Sequence, residues 1–230
     1  MPHEHRFLHV NALVVGESGL GKTTFTMNLH QDFQGPDFKL WPHDGAETSM
    51  ASFKADPDSL CMHLPKAVAT ESGDWVMWHM QDTPGHGNID DTEHMNMIIN
   101  HIRSKKYLQY EMERQLLQGM EPQGNRLCEA RDDHLYDVAF YFIPPHRFKP
   151  ADLEYIRRLS QEVTVVLVCA KADCMTMDER RDFQMGIRDR MINSMLHDLM
   201  LNRPCHDLWR CLLACAAAMM FSHLCHACVN

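Results

Sequence analysis

The stretch that decides the fold is Gly16-Glu17-Ser18-Gly19-Leu20-Gly21-Lys22-Thr23, which fits the pattern G-x-x-x-x-G-K-[ST] at every fixed position. The mostly apolar residues 7–15 before it predict a buried strand of the kind found in parallel sheets. The residues after it, as far as Asn28 or Leu29, predict a helix. A glycine loop that joins a strand to a helix is the setting in which this pattern holds phosphate groups.

Each part of this loop has a physical reason to meet a polyphosphate. The glycines let successive N–H groups turn inward into a concave nest for oxyanions, and the following helix adds the positive end of its dipole. We expect Lys22 to reach the outer phosphates and Thr23 to offer its hydroxyl to a bridging magnesium ion. Residues 16–23 and Thr24 are therefore predicted to bind a nucleotide. The alternative, a glycine-rich turn that fits by chance, leaves the flanking strand and helix unexplained.

Composition restricts the class of protein. With 230 residues, of which 45% are hydrophobic and 23% charged, the chain is long enough for one sizeable core, or for a core with a tail. A net charge of −9 argues against nucleic acid as a partner and against a broadly basic membrane-binding surface. Residues 1–6 do not resemble the start of a signal peptide. The nine cysteines are therefore expected to be reduced, in the cytoplasm.

The rest of the chain alternates predicted strands and helices. Residues 31–74 predict loop with short strands at most, because they carry Pro36, Pro42, Pro57 and Pro65. Beyond them, hydrophobic periodicity predicts strands at 75–81, 135–143 and 163–170, and helices at 92–118, 151–160 and 177–201. Such alternation favours a three-layer α/β fold with a mostly parallel central sheet, the P-loop NTPase fold. Its ligands bind at the carboxyl ends of the strands.

A second motif, Asp82-Thr83-Pro84-Gly85, follows the strand predicted at 75–81. In a D-x-x-G switch, Asp82 holds magnesium through water and the N–H of Gly85 meets the terminal phosphate, so the segment orders only with that phosphate present. The alternative is a turn that ends the strand, because Asp, Pro and Gly are all common in turns. The position of the motif downstream of the glycine loop favours the switch.

A third motif, Ala170-Lys171-Ala172-Asp173, ends the most apolar predicted strand. The carboxylate of Asp173 can accept hydrogen bonds from the N1–H and the exocyclic amine of guanine, and adenine lacks that pair of donors. The stem of Lys171 can lie against the face of the base. The alternative, two charges that cap a strand, is the usual meaning of a lone K-x-D, and the order of the three motifs argues against it.

Together these residues resemble the septins. The resemblance rests on the three motifs, on Phe140-Tyr141-Phe142-Ile143-Pro144 and on residues 153–159 after the Lys149-Pro150 pair. The A-K-A-D form is distinctive, since most related GTPases carry Asn at its first position. The resemblance implies a Ras-like septin GTPase domain that binds GTP or GDP with Mg2+. It also implies cytoskeletal filaments built with other septin-like subunits, as homo- or hetero-oligomers, at the cell cortex or the division site.

Two departures from the septin pattern are visible. Septins usually carry a basic stretch before the nucleotide domain, whereas this chain has His3, His5 and His9, so peripheral membrane contact stays an open expectation. The strand that closes the base pocket and the C-terminal element used in filament contacts are not found in the sequence. We therefore divide the chain into a C-terminally incomplete septin-type domain at residues 1–201 and a tail at 202–230.

The expected activity is slow hydrolysis of GTP by in-line attack of water, catalysed mainly by positioning and charge stabilisation. Lys22 stabilises charge, Gly85 senses the phosphate, and His86 stands where Ras-like GTPases use Gln to orient the water. D-T-P-G-H resembles the translational GTPases, in which histidine has that role. The alternative for His86 is an exposed loop histidine. The alternatives for the whole chain are a non-hydrolysing, nucleotide-locked structural subunit and a truncated pseudo-GTPase.

Two further assignments concern the loop regions. Thr48 is the candidate for a switch threonine that contacts magnesium, ahead of Thr24 and Thr70. No arginine finger is assigned, because no arginine among those considered sits at a telling spacing, namely Arg103, Arg114, Arg126 and Arg131.

The tail differs in character from the rest of the chain. Residues 211–221 are uniformly apolar but too few to cross a bilayer, which takes about 20 residues. Three interpretations stay open: a buried or interface helix, a membrane-surface contact with an acylated cysteine, and a departure from the family's own C-terminus. No metal ligands are assigned there, because the spacing of its histidines and cysteines fits no standard zinc finger.

Overall fold

The middle strand of the sheet, β1 (Phe7–Gly16), leads directly into the glycine loop. Its residues from Ala12 to Val15 are wholly buried, because both faces of the strand are covered, as its apolar sequence predicts. A computed structural model describes residues 7–34, 49–57, 61–63, 68–69, 75–87, 91–118 and 135–200 of the chain.

The remaining elements alternate along the chain as the periodicity predicts. They are α1 (Lys22–Gln34), α2 (Met50–Ala55), β2 (Cys61–His63), β3 (Val68–Ala69), β4 (Trp75–Asp82), α3 (Asp91–Leu117), β5 (Val138–Ile143), α4 (Pro150–Leu159), β6 (Thr164–Cys169) and α5 (Met177–Met200). A short 3-10 helix, Ala172–Cys174, lies between β6 and α5. Every strand and helix predicted beyond residue 74 is present, with ends close to those expected.

The parallel strands end at one edge of the sheet. Over the described residues the strands form a six-stranded sheet in the order β2-β4-β1-β5-β6, with β3 also paired to β4. β4, β1, β5 and β6 are parallel, whereas β2 and β3 run antiparallel to β4. The register aligns Val14 with Asp82, and Ile143 with Cys169. The glycine loop, Asp82 and the A-K-A-D segment therefore follow strands that share one edge, as predicted.

Helices cover both faces of the sheet. Alternate residues of β1 and β5 point to opposite sides, because side chains alternate along a strand. Leu13, Val15 and Tyr141 pack in the larger core cluster with residues of α3, α4 and α5. Ala12, Val14, Phe140 and Phe142 form the smaller cluster on the other face, against Phe25 and Leu29 of α1. The result is the three-layer α/β arrangement expected of a P-loop NTPase.

Two local predictions were wrong. α1 continues to Gln34 rather than ending at Asn28 or Leu29, and in the sequence the first helix-stopping pair after it is Gly35-Pro36. Residues 31–74 also contain the helix α2, which the sequence did not predict. The Ser49 hydroxyl caps this helix by accepting a hydrogen bond from the N–H of Ser52 at 3.0 Å, and Phe53 anchors it in the core at 1% exposure.

Some predictions fall where the structure gives no description. Thr48 and residues 202–230 lie outside the described residues, so the role of Thr48, the interpretations of the tail and the division at residue 201 stay predictions. Over the part of the chain that is described, no helix is both long enough and apolar enough to cross a membrane.

Candidate nucleotide-binding site

The glycine loop has the backbone shape of an anion nest. Gly19 and Gly21 adopt φ values of 76° and 82°, in the left-handed region that side chains disfavour. Both glycines are exposed, and a Cβ atom at either would meet nothing within 4 Å. The loop is therefore open on the side of these residues, and α1 begins directly after it at Lys22.

Lys22 is held against the loop rather than extended into solvent. Its side chain is buried, with 7% of the residue exposed, and its Nζ donates a hydrogen bond to the carbonyl oxygen of Glu17 at 3.1 Å. Burial lowers the pKa of Lys22, and the nearby charge of Asp82 partly opposes that shift. A buried ammonium with one carbonyl partner has donors left for an anion at the loop.

Thr23 and Asp82 join the ends of α1 and β4. The Thr23 hydroxyl donates to Asp82 Oδ2 at 2.6 Å, and the N–H of Thr83 donates to Oδ1 at 3.0 Å. Asp82 is 4% exposed, so its carboxylate is fixed in place. Hydroxyl and carboxylate oxygens are the ligands that magnesium prefers, and magnesium in such sites takes its other ligands from water and phosphates. These two residues therefore fit a magnesium ion.

The D-x-x-G segment is docked on the glycine loop. The N–H of Ser18 donates to the carbonyl oxygen of His86 at 2.9 Å, and the N–H of His86 donates to Gly16 at 3.3 Å. These bonds form a short parallel bridge between Glu17 and His86. A Cβ atom at Gly85 would come within 2.4 Å of Ser18 Cα, so only glycine permits this approach.

His86 is not the exposed loop histidine considered as its alternative, because it is 4% exposed. Its Nε2 lies 3.2 Å from the hydroxyl of Tyr141, which donates to Asp152 Oδ1 at 2.9 Å. Because the Tyr141 hydroxyl gives its proton to Asp152, the contact with His86 requires that Nε2–H donates to the Tyr141 oxygen. Burial lowers the pKa of His86, although the charges of Asp91, Asp152 and Glu17 oppose that shift. His86 Nδ1 and Asp91 Oδ1 face each other at 3.3 Å, and neither atom has a hydrogen-bonding partner.

A second buried histidine contacts the backbone of the D-x-x-G segment. His94 of α3 is wholly buried, and its Nε2 lies 2.8 Å from the carbonyl oxygen of Pro84 while its Nδ1 lies 3.0 Å from the hydroxyl of Tyr155. Burial lowers the pKa of His94 to about 4, and its bond to Pro84 opposes that shift. The sequence did not single out His94, although its position on the apolar face of a predicted helix could have done so.

The base-reading residues and Thr24 lie at the surface. Lys171 follows β6, adopts a φ of 50° and precedes the short 3-10 helix that contains Asp173. Both side chains are exposed, as is Thr24 in the first turn of α1. The sheet register places Lys171 and Asp173 beyond β6, at the edge that carries the glycine loop. The assignment of Asp173 to the guanine base stays a prediction.

The sequence did not predict that two basic residues lie at the loop. Arg147 and Lys149, in the segment between β5 and α4, both pair with Glu17. Of the arginines considered from the sequence, Arg103 pairs with Glu162 and Arg114 with Glu111, and the other two lie outside the described residues. The sequence pattern could have indicated this, because β5 ends at the same edge of the sheet as β1. Basic residues just after β5 therefore lie near the glycine loop.

Within the described residues, no three His, Cys, Asp or Glu side chains converge as a metal-binding group. A divalent ion at Thr23 and Asp82 therefore depends on oxygens from a bound phosphate or water, which is the usual way magnesium is held beside nucleotides.

Known proteins are similar to this chain in sequence and in fold. The septin family model matches residues 6–204. Septin-12 of Bos taurus is 32% identical over 187 residues, covering 78% of this chain and 45% of that protein. The septin homolog spn2 of Schizosaccharomyces pombe is 28% identical over 200 residues, 85% of this chain and 54% of that protein.

The fold comparison agrees with the sequence. The crystal structure of the septin GTPase domain from Chlamydomonas reinhardtii superposes with a TM-score of 0.66 and 31% identity, covering 84% of this chain and 63% of that chain. The chain spans about half the length of the curated relatives that it matches. From the family match and the shared fold, the chain belongs to the septin family.

Proposed function

We propose that this chain binds GTP with magnesium at the carboxyl edge of its sheet and hydrolyses it slowly, as a subunit of a septin assembly. One observation carries the proposal: the Lys22 ammonium, the Thr23 hydroxyl and the Asp82 carboxylate lie beside one glycine loop, at the ends of two neighbouring strands. The structural neighbour of similar fold is itself a septin GTPase domain.

Each residue has a distinct role in the proposal. Lys22 and the N–H groups of the loop stabilise the negative charge that develops on the phosphates, while Thr23 and Asp82 hold the magnesium ion. The ion, when bound, neutralises charge between the outer phosphates. Gly85 senses the terminal phosphate through its N–H, and Asp173 selects guanine by accepting two hydrogen bonds from the base.

Base selection gives the sharpest test of the proposed ligand. We expect calorimetry on the wild-type protein to show binding of GTP and GDP but not ATP. Asp173→Asn should weaken guanine binding about tenfold or more, because the amide replaces one acceptor with a donor, and it should favour xanthine nucleotides. Asp178→Asn, a change of the same kind at an exposed position in the first turn of α5, is the matched control. Unchanged guanine affinity in Asp173→Asn would show that another residue reads the base.

A second candidate function is a nucleotide-locked structural subunit that binds GTP without turnover. The observation that favours it is the burial of His86, whose imidazole lies against the Tyr141 hydroxyl. Bound nucleotide would then stabilise the fold by mass action. Single-turnover hydrolysis of γ-labelled GTP separates the two candidates, because the structural subunit releases no phosphate over hours. A pseudo-GTPase that binds no nucleotide would show no rise in melting temperature with GTP and magnesium.

Other septin-like subunits are the proposed protein partners, and the cytoskeleton at the cell cortex or division site is the proposed location. Support comes from the family match alone, and peripheral membrane contact is part of the same proposal. Analytical ultracentrifugation of the chain, with and without a second septin, tests assembly. A sedimentation coefficient that stays at the monomer value in every mixture would contradict it.

A further inference from the structure

Three charged side chains from two separate segments meet at the glycine loop. Glu17 Oε1 lies 3.2 Å from Lys149 Nζ, and Glu17 Oε2 accepts a hydrogen bond from Arg147 Nη2. The Glu17 side chain is 18% exposed, against 53% for Arg147 and 35% for Lys149. The carboxylate is therefore the most enclosed of the three charged groups.

Backbone geometry fixes the two cations at this place. His146 adopts a φ of 59°, in the left-handed region, in the turn that lies between β5 and Arg147. The N–H of Lys149 donates to Asp152 Oδ2 at 2.7 Å, so the start of α4 is capped at this residue. The pairing with Glu17 is therefore built on an ordered turn and a capped helix.

Glu17 also contacts the switch segment. A Cβ atom at Gly87 would come within 3.0 Å of Glu17 Cγ, and His86 between Gly87 and Gly85 forms the backbone bridge to Glu17. One side chain thus lies among three segments, namely the glycine loop, the D-x-x-G segment and the turn before α4.

The charge of Glu17 opposes the ligand that the loop is built to hold. Partial burial raises the pKa of Glu17, but the hydrogen bonds and charges of Lys149 and Arg147 outweigh that effect and keep its pKa below the usual value. The carboxylate is therefore ionised at neutral pH. An unpaired negative charge in a phosphate-binding loop repels a polyphosphate, and a triphosphate more than a diphosphate.

We propose that Arg147 and Lys149 neutralise Glu17 so that the glycine loop accepts the polyphosphate of a nucleoside triphosphate. The inference rests on the proposed function and adds a pair of positioning residues that act through Glu17. Loss of Arg147 weakens triphosphate binding because Lys149 alone then opposes the Glu17 charge, and the effect disappears when Glu17 itself is neutral.

The test is a double-mutant cycle on the full chain, with GTP and GDP affinities measured by calorimetry in magnesium at low salt. We expect Arg147→Ala to weaken GTP about tenfold and GDP less, the size of one charge interaction across several ångströms near a surface. Glu17→Gln alone should bind like the wild type, and adding Arg147→Ala to it should change nothing. Arg147→Lys should keep wild-type affinity, because the charge is retained. Arg114→Ala is the control, because it removes the same charge from the last turn of α3, about 35 Å from the first residue of that helix. It should leave GTP affinity unchanged.

The outcomes separate this inference from the proposed function. Guanine-nucleotide binding by the wild-type chain tests the proposed function and does not test the neutralisation of Glu17. If the wild type binds but the double variant is as weak as Arg147→Ala, Arg147 acts on the nucleotide directly and the neutralisation is wrong. Equal affinities of Arg147→Ala and Arg114→Ala would overturn it as well. Lys149→Ala repeats the cycle should Arg147→Ala fail to fold.

Discussion

The backbone of Gly85 lies so close to Ser18 that a methyl group on Gly85 would come within 2.4 Å of Ser18 Cα and 2.7 Å of its nitrogen. Hydrogen bonds join the same two segments, since the N–H of Ser18 donates to His86 and that of His86 to Gly16. The D-x-x-G segment therefore touches the glycine loop through its glycine, and this contact tolerates no side chain.

We expect Gly85→Ala to separate the switch from the loop. Because the two nearest atoms, Ser18 Cα and N, belong to the backbone, a rotamer change cannot relieve the strain, and the substitution should cost about 1–3 kcal/mol of unfolding free energy. Chemical denaturation and GTP affinity measure the two effects. Gly186→Ala in α5 is the control, since a Cβ there meets nothing within 4 Å, and it should be neutral or stabilising. Equal stability of Gly85→Ala and the wild type would contradict the close approach.

Removing the Thr23 hydroxyl should weaken the magnesium-dependent part of nucleotide binding. Thr23 Oγ1 bonds to Asp82 Oδ2 at 2.6 Å, so it is already directed at the carboxylate that would share the ion. We expect Thr23→Ala to lose about tenfold or more in affinity with magnesium, and little with EDTA, the scale of one hydrogen bond to a charged group. Thr23→Ser keeps the hydroxyl and should behave as wild type. A loss of the same size in EDTA would rule out a metal role for Thr23.

The sequence predicted the parts of the fold that depend on local patterns. The apolar run before Gly16 and the strongly β-branched run before Ala170 are buried parallel strands because helices cover both sides of the sheet. Strand order then placed three motifs at one edge. α2 was not predicted because it is a six-residue helix without a periodic apolar face. It is stabilised by the Ser49 cap and by the buried side chain of Phe53.

The site was only partly predictable, because some of its contacts depend on which distant residues the fold brings together. The partners of Lys22, Thr23 and Asp82 lie within the motifs themselves. The partners of Glu17 and His86 are more than 50 residues away along the chain, in β5 and in the turn before α4. The sequence therefore left His86 between a water-positioning role and an exposed loop position, and the structure buries it against the aromatic residue Tyr141.

Lowering the pH should destabilise the protein through protonation of His94, before the carboxylates of the protein are fully protonated. The folded pKa is lowered to about 4 from 6.5, chiefly by burial, so between these values the unfolded chain binds the proton that the folded chain does not. Stability is fully present above pH 6.5 and falls as the pH drops towards 4, by about 3 kcal/mol from this residue. His86 adds a loss in the same direction, since its pKa is lowered too.

The check is the free energy of unfolding measured by denaturant titration at intervals from pH 7 to pH 4. His94→Phe should be less stable at pH 7, because Pro84 and Tyr155 lose a partner, yet it should show a shallower decline with acid. His146→Asn is the control, because that histidine is exposed and Asn tolerates its φ of 59°. If His94→Phe and His146→Asn declined with the same slope as wild type, His94 would not be the titrating group.

The hydroxyl of Tyr141 connects His86, which follows the D-x-x-G segment, to Asp152 of α4. Its removal should therefore affect both segments. It donates to Asp152 Oδ1 at 2.9 Å and lies 3.2 Å from His86 Nε2, all three groups being buried. Burial raises the pKa of Tyr141, with the charge of Asp152 adding to the shift, so the hydroxyl keeps its proton at neutral pH. We expect Tyr141→Phe to cost about 1–3 kcal/mol of unfolding free energy, because two buried polar groups lose a partner.

A double-mutant cycle separates this network from simple packing. Phenylalanine fills nearly the same space as tyrosine, so most of the loss in Tyr141→Phe comes from the hydrogen bonds. The effects of Tyr141→Phe and Asp152→Asn should therefore combine to less than their sum, with a coupling of about 0.5–3 kcal/mol. Tyr107→Phe is the matched control, because Tyr107 is 62% exposed and water replaces whatever its hydroxyl contacts. Strictly additive effects would mean that Tyr141 and Asp152 stabilise the fold independently, and the switch would then have no such connection to α4.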